Sequence, residues 1–141
     1  SFSKKPAIHL PLKHWKNSNS MFTLPVWDIL ASYDGDSKNF SFEGEIFDGY
    51  FDDIVFKKPL SFEIYIMWLD DRVEVICKNL KTQVVYDGRS HDVSIGEFER
   101  EFKLKREPGD PDDIGEIDSH GMTVDLAPIL REEIIMACYT L

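Results

Sequence analysis

Cysteine is nearly absent: the 141 residues hold only Cys77 and Cys138. Both lie in apolar runs and no secretory leader precedes them, so two buried free thiols in a reducing cytoplasm are expected rather than a disulfide framework. Long hydrophobic runs are missing too, and no window approaches the roughly 18 apolar residues that a membrane-crossing helix needs. Histidine is scarce and scattered. His9, His14, His91 and His120 form no H-x-x-x-H pair, no C-x-x-C occurs, and no metal or cofactor is expected. Glycine is too thin at Gly109, Gly115 and Gly121 to cradle a phosphate. A G-x-S-x-G elbow is lacking, which removes the commonest local signature of a serine nucleophile.

The longest stretch without acid is the first. Residues 1–27 contain Lys4, Lys5, Lys13 and Lys16 and no Asp or Glu, which leaves 12 basic against 26 acidic residues in the remainder. The first segment is therefore +4, the rest −14, and the whole chain −10. A body of that sign repels a phosphate backbone, so extensive direct RNA binding is disfavoured. Lys4, Lys5, Lys13, Trp15 and Lys16 do combine cations with an aromatic ring, the mixture suited to single-stranded RNA, and any RNA contact is expected to run through them.

What is present is enough for one core. Hydrophobic residues make up 43% of the chain, with ten Phe, five Tyr and three Trp. Residues 1–22 read as a loose basic arm, and 23–141 as a single α+β domain. Thr23-Leu24-Pro25 is read as a helix start, with Val26, Ile29, Leu30 and Tyr33 on one face, ended by Asp34-Gly35-Asp36. From Asn39 the period falls to two, predicting strands at 40–46, 51–56, 60–69, 72–77, 81–86, 90–95 and 97–105. Residues 60–69 are apolar on both faces and should lie centrally. Asp87-Gly88 reads as a turn. The expected fold is a mainly antiparallel twisted sheet, a meander with a partial barrel as one form, plus a short N-terminal helix and a C-terminal amphipathic one.

Between 107 and 121 the chain turns to Pro, Gly and acids, which predicts a mobile acidic loop with almost nothing to bury. Its acids Asp110, Asp112 and Asp113 lack the spacing of a calcium loop. In the closing helix, 125–138, Asp125 caps, Pro128 sits in the first turn, and Leu126, Leu130, Ile134 and Cys138 stack at four-residue intervals. Arg131, Glu132 and Glu133 take the other face. Cys77 with His91 could pair across a hairpin, and two structural residues are the better account.

The run from Gly121 to Ala137, with an acidic stretch ahead of Val124-Asp125-Leu126 and then Arg131-Glu132-Glu133, resembles the C-terminal signature of the bacterial large ribosomal RNA subunit accumulation family, YceD. The similarity extends over roughly 23–138. Cys77-Lys78-Asn79-Leu80 keeps one thiol where members of that family often carry a cysteine pair, and the usual Pro after the helix is replaced near Cys138-Tyr139. The resemblance implies a non-enzymatic role in accumulation or processing of large-subunit ribosomal RNA. An acidic body suits capture of a basic ribosomal protein or ribosome assembly factor, and Asp110, Asp112, Asp113, Glu116, Asp118, Glu132 and Glu133 are the residues expected to meet it. The rival reading is an enzyme of unrecognised class with a pocket on the sheet near Asp52, Asp53 and His91.

Overall fold

The structure, a computed structural model, describes residues 22–26, 37–69, 71–111 and 114–139. The basic arm and most of the expected N-terminal helix lie outside these residues, as do Asp112 and Asp113. Thr23-Leu24-Pro25, expected to open that helix, instead forms strand β1, Thr23–Pro25. It pairs antiparallel with β8, Thr123–Asp125, through Leu24↔Val124. Pairing wins over local propensity because Leu24 and Val124 are both removed from water there.

The other strands are β2, Ser37–Gly44; β3, Ile54–Phe56; β4, Leu60–Leu69; β5, Arg72–Tyr86; β6, Arg89–Lys103; and β7, Gly115–Glu116. They form an open six-stranded sheet in the order β2-β4-β5-β6-β7, with β3 paired to β5. No barrel closes. Strand β4 lies between β2 and β5, which suits its apolar character on both faces.

Two pairs of expected strands fuse. Residues 72–77 and 81–86 form the single strand β5, and 90–95 and 97–103 the single strand β6. The cause on β5 is a bulge: Ser61 pairs with Lys81 but Glu63 with Lys78, so Asn79 is the extra residue, held at φ 55°. Ahead of it Val73, Val75 and Cys77 point inward; beyond it Leu80, Thr82 and Val84 do. The inward set changes from odd to even numbers without the strand ending. The join between β5 and β6 is tight. Asp87 and Gly88 have φ of 54° and 76°, both positive as a two-residue type I′ turn requires.

Helix α1, Ala127–Tyr139, covers the inner face of the sheet. Asp125 Oδ1 accepts from the Ala127 N–H at 3.0 Å, satisfying one first-turn amide. Leu126, Leu130, Ile134 and Cys138 are all buried, as their four-residue spacing predicts. Leu126 and Leu130 meet Ile64, Val75 and Cys77 across a narrow seam. The helix entry is tied to β1, since the Leu126 N–H donates to the Phe22 carbonyl at 3.0 Å.

The segment 107–121 buries more than its composition suggests. Ile114 and Ile117 enter the interior, and Gly115–Glu116 pairs with Phe102–Lys103 in parallel. A Cβ on Gly115 would sit 2.6 Å from two ring carbons of Phe102, itself buried. Gly115→Ala should therefore cost about 1–3 kcal/mol, because the Phe102 ring has no open space to retreat into. Urea denaturation checks this; an unchanged midpoint would mean the ring shifts freely.

Candidate functional site

Most of the acids expected to face a partner are engaged within the chain. Asp110 Oδ1 accepts from Lys103 Nζ at 2.9 Å, and its Oδ2 accepts from the Glu107 N–H at 2.7 Å. Those two bonds hold its carboxyl below the usual carboxylate range, the Glu107 amide contributing most. Lys103 is buried, and Asp71 at 3.5 Å completes its surroundings. Glu116 lies on β7 and accepts at 3.4 Å from the Arg106 N–H; Asp118 accepts from the His120 N–H at 3.0 Å. Glu116, Asp118 and Asp125 line one cleft of about 420 Å³. Glu132 and Glu133 stand elsewhere, on α1, and both meet Arg100 of β6, at 2.8 and 2.6 Å. Glu133 is only 16% exposed. Asp110, Glu132 and Glu133 are thus paired with cations, whereas Glu116 and Asp118 accept from backbone amides at a separate cleft.

Of the groups named for the enzyme reading, Asp53 is engaged by an arginine, and the Cys77 and His91 pair is set apart along the sheet. Asp53 is bound by Arg131 through two bonds, Nε donating to Oδ1 at 3.1 Å and Nη2 donating to Oδ2. Those bonds, led by the hydrogen bond to Arg131, lower the Asp53 pKa against the opposing effect of burial. His91 lies opposite Val84, whereas Cys77 lies opposite Phe98. At about 3.3 Å per residue along β6, that separates the imidazole and the thiol by roughly 20 Å. Burial, helped by Glu133 and Glu63, pushes the Cys77 thiol up to about 12, so no thiolate forms near neutrality. Among the described residues, no group of three or more His, Cys, Asp or Glu side chains is placed to hold a metal ion. Nor is any helix among them long and apolar enough to cross a membrane.

On the outer face of the sheet, Glu74 stands directly opposite Glu101 and beside Glu99. Partial burial, then the charges of Glu99 and Glu101, raise its pKa. A carboxyl raised in the fold favours folding below its unfolded pKa, and that contribution is lost as pH climbs through the folded value. Glu74→Gln should raise the thermal midpoint at pH 7 by about 1–2 °C and leave it unchanged at pH 3. Equal shifts at both pH values would assign the effect to packing.

A second cavity is a groove of about 710 Å³ between α1 and the loop 45–53. Tyr50, Phe51 and Tyr86 line one side; Ala127, Pro128, Ile135 and Met136 line the other together with Asp125, Arg131 and Glu132. The Arg131 bond to Asp53 fixes the distance between them. Tyr50 and Phe51 pack edge to face at 4.8 Å, and Tyr86 meets Tyr139 with their hydroxyls 3.1 Å apart. Met136 is 53% exposed, Tyr139 70% and Phe47 54%. The sequence did carry a sign of this site. Ile135 and Met136 fall outside the four-residue stripe that α1 buries, and apolar residues beyond a helix's buried face mark a second contact surface.

Comparison with known proteins returns nothing: no protein-family model, no curated protein and no solved structure matches this chain.

Proposed function

We propose that the protein is a non-enzymatic accessory factor in large ribosomal subunit biogenesis, supporting accumulation or processing of large-subunit ribosomal RNA by binding a basic ribosomal protein or assembly factor. The observation that carries this reading is the run from Gly121 to Ala137, where the residues giving the family resemblance also build the groove. Asp125 caps α1, Arg131 ties it to Asp53, and Glu132 and Glu133 tie it to Arg100. These residues set an apolar helix face opposite an aromatic loop, an arrangement suited to gripping a protein partner.

Charge gives the reading its direction. A body of −14 outside residues 1–27 draws in cationic proteins and orients their approach. RNA would be reached through the lysines of the arm or through the bound partner.

The test is affinity capture from a bacterial lysate with mass spectrometry, at low and at high salt. Large-subunit components should be recovered at low salt and should detach as ionic strength rises. Recovery of no ribosomal material at low salt would overturn the proposal.

A further inference from the structure

The groove beside α1 has a mixed lining, apolar and aromatic residues with Asp125 and Glu132 against one cation, Arg131, and its margin carries further acid. The loop 45–53 supplies Glu45, Asp48, Asp52 and Asp53 and no cation. Asp53 is taken by Arg131, whereas Glu45, Asp48 and Asp52 meet no cation among the described residues. Asp52 still lies near enough to act on the Arg131 guanidinium, and Asp53 and Asp87 both act on the Tyr86 phenol. The loop 45–53 thus brings four carboxylates to the aromatic side of the groove, against Arg131 on the helix and Arg89 opposite Tyr86. Its opposite side ends in Met136, an unbranched and half-exposed side chain able to repack around anchors of different shape.

Together these features specify a ligand. We propose that the groove seats a basic peptide segment of a protein partner, one aromatic or long aliphatic side chain entering between Tyr50, Tyr86 and Met136 while flanking lysines or arginines meet Asp48 and Asp52. This rests on the protein-binding reading above and names the partner's chemistry. The groove volume of about 710 Å³ holds one or two large side chains, not a folded element. Affinity then comes from the buried anchor, and orientation from the acids around it. A nucleic-acid strand is disfavoured as occupant because its phosphates would face Asp48 and Asp52.

The probe is a fluorescein-labelled lysine-rich peptide with a single central Trp, titrated into the full chain at low salt and followed by anisotropy. Binding should weaken at least about tenfold for the peptide with Trp→Ala, for Met136→Glu, and for the double variant Asp48→Lys/Asp52→Lys. Met136, Asp48 and Asp52 are outside the buried core, and circular dichroism verifies that each variant keeps its fold. Unchanged affinity in Met136→Glu would overturn the proposal, since attraction would then come from net charge alone. Absence of binding to the unaltered chain would overturn it as well. Tighter binding in Trp15→Ala would do the same, by assigning the groove to the chain's own basic arm. Lysate capture with the Met136→Glu chain keeps this result separate from the ribosomal reading. Large-subunit components recovered equally by both chains would remove the groove and leave that reading in place. Peptide binding without ribosomal recovery would remove that reading and leave the groove.

Discussion

Deletion of Asn79 should leave a chain with no cooperative unfolding transition, while Asn79→Gly should change stability by less than about 0.5 kcal/mol. Asn79 is the extra residue of the β5 bulge and sits at φ 55°, a conformation that glycine adopts freely and asparagine tolerates. Without it, every residue that follows on β5 changes face. Leu80 and Val84, now fully buried, would turn to water, and Lys81 would turn inward. Each buried aliphatic is worth about 1.5–3 kcal/mol and an unpaired inward charge costs more, against a net stability of about 5–15 kcal/mol. Urea titration followed by Trp fluorescence gives the answer. A cooperative transition at the unaltered midpoint in the deletion chain would show that the sheet can re-register, contrary to the phase change inferred at Asn79.

Arg100→Ala should lower stability by about 2–3 kcal/mol, far more than loss of any other cation on β5 or β6 that reaches only exposed carboxylates. Arg100 is 19% exposed and holds two glutamates of α1, at 2.8 and 2.6 Å. Removing it leaves Glu133 partly buried against the sheet with no cation, and the penalty is mostly that of the orphaned carboxylate. Glu133→Gln placed in the Arg100→Ala background should thus recover part of the loss. Lys78 offers the contrast, because it reaches Glu97 at 3.9 Å with both side chains in water, where such pairs contribute about 0–1 kcal/mol. If Arg100→Ala costs no more than Lys78→Ala, the helix is held by its apolar face alone.

The periodicity of the chain carried most of the sheet and all of the helix's buried face. Strand β4 begins and ends where its alternation does, and Leu126, Leu130, Ile134 and Cys138 line the interior. Where the reading departed from the structure, a non-local effect decided. Alternation changes phase at Asn79, which in sequence looks like the end of one strand and the start of another. Thr23-Leu24-Pro25 has the chemistry of a helix start, yet its strand partner lies at 123–125, too far along the chain for any local window to register. Ile114 and Ile117 were outweighed by the acids around them, although two isoleucines in a polar stretch suffice to anchor it.

The candidate site was harder to read for the same reason. Counting acids says nothing about which cations reach them, so Asp110, Glu132 and Glu133 looked free until Lys103 and Arg100 were placed beside them. The groove depends on bringing Tyr50, Tyr86 and Met136 together from three remote stretches of chain. Only the surplus apolar residues Ile135 and Met136 hinted at it.

The pairing of β1 with β8 also sets a condition on synthesis. Translation delivers Thr23–Pro25 before all six strands of the main sheet and delivers Thr123–Asp125 after them. A nascent chain can close the β5–β6 hairpin through its two-residue turn soon after Lys103 emerges, whereas β1 must wait for β8.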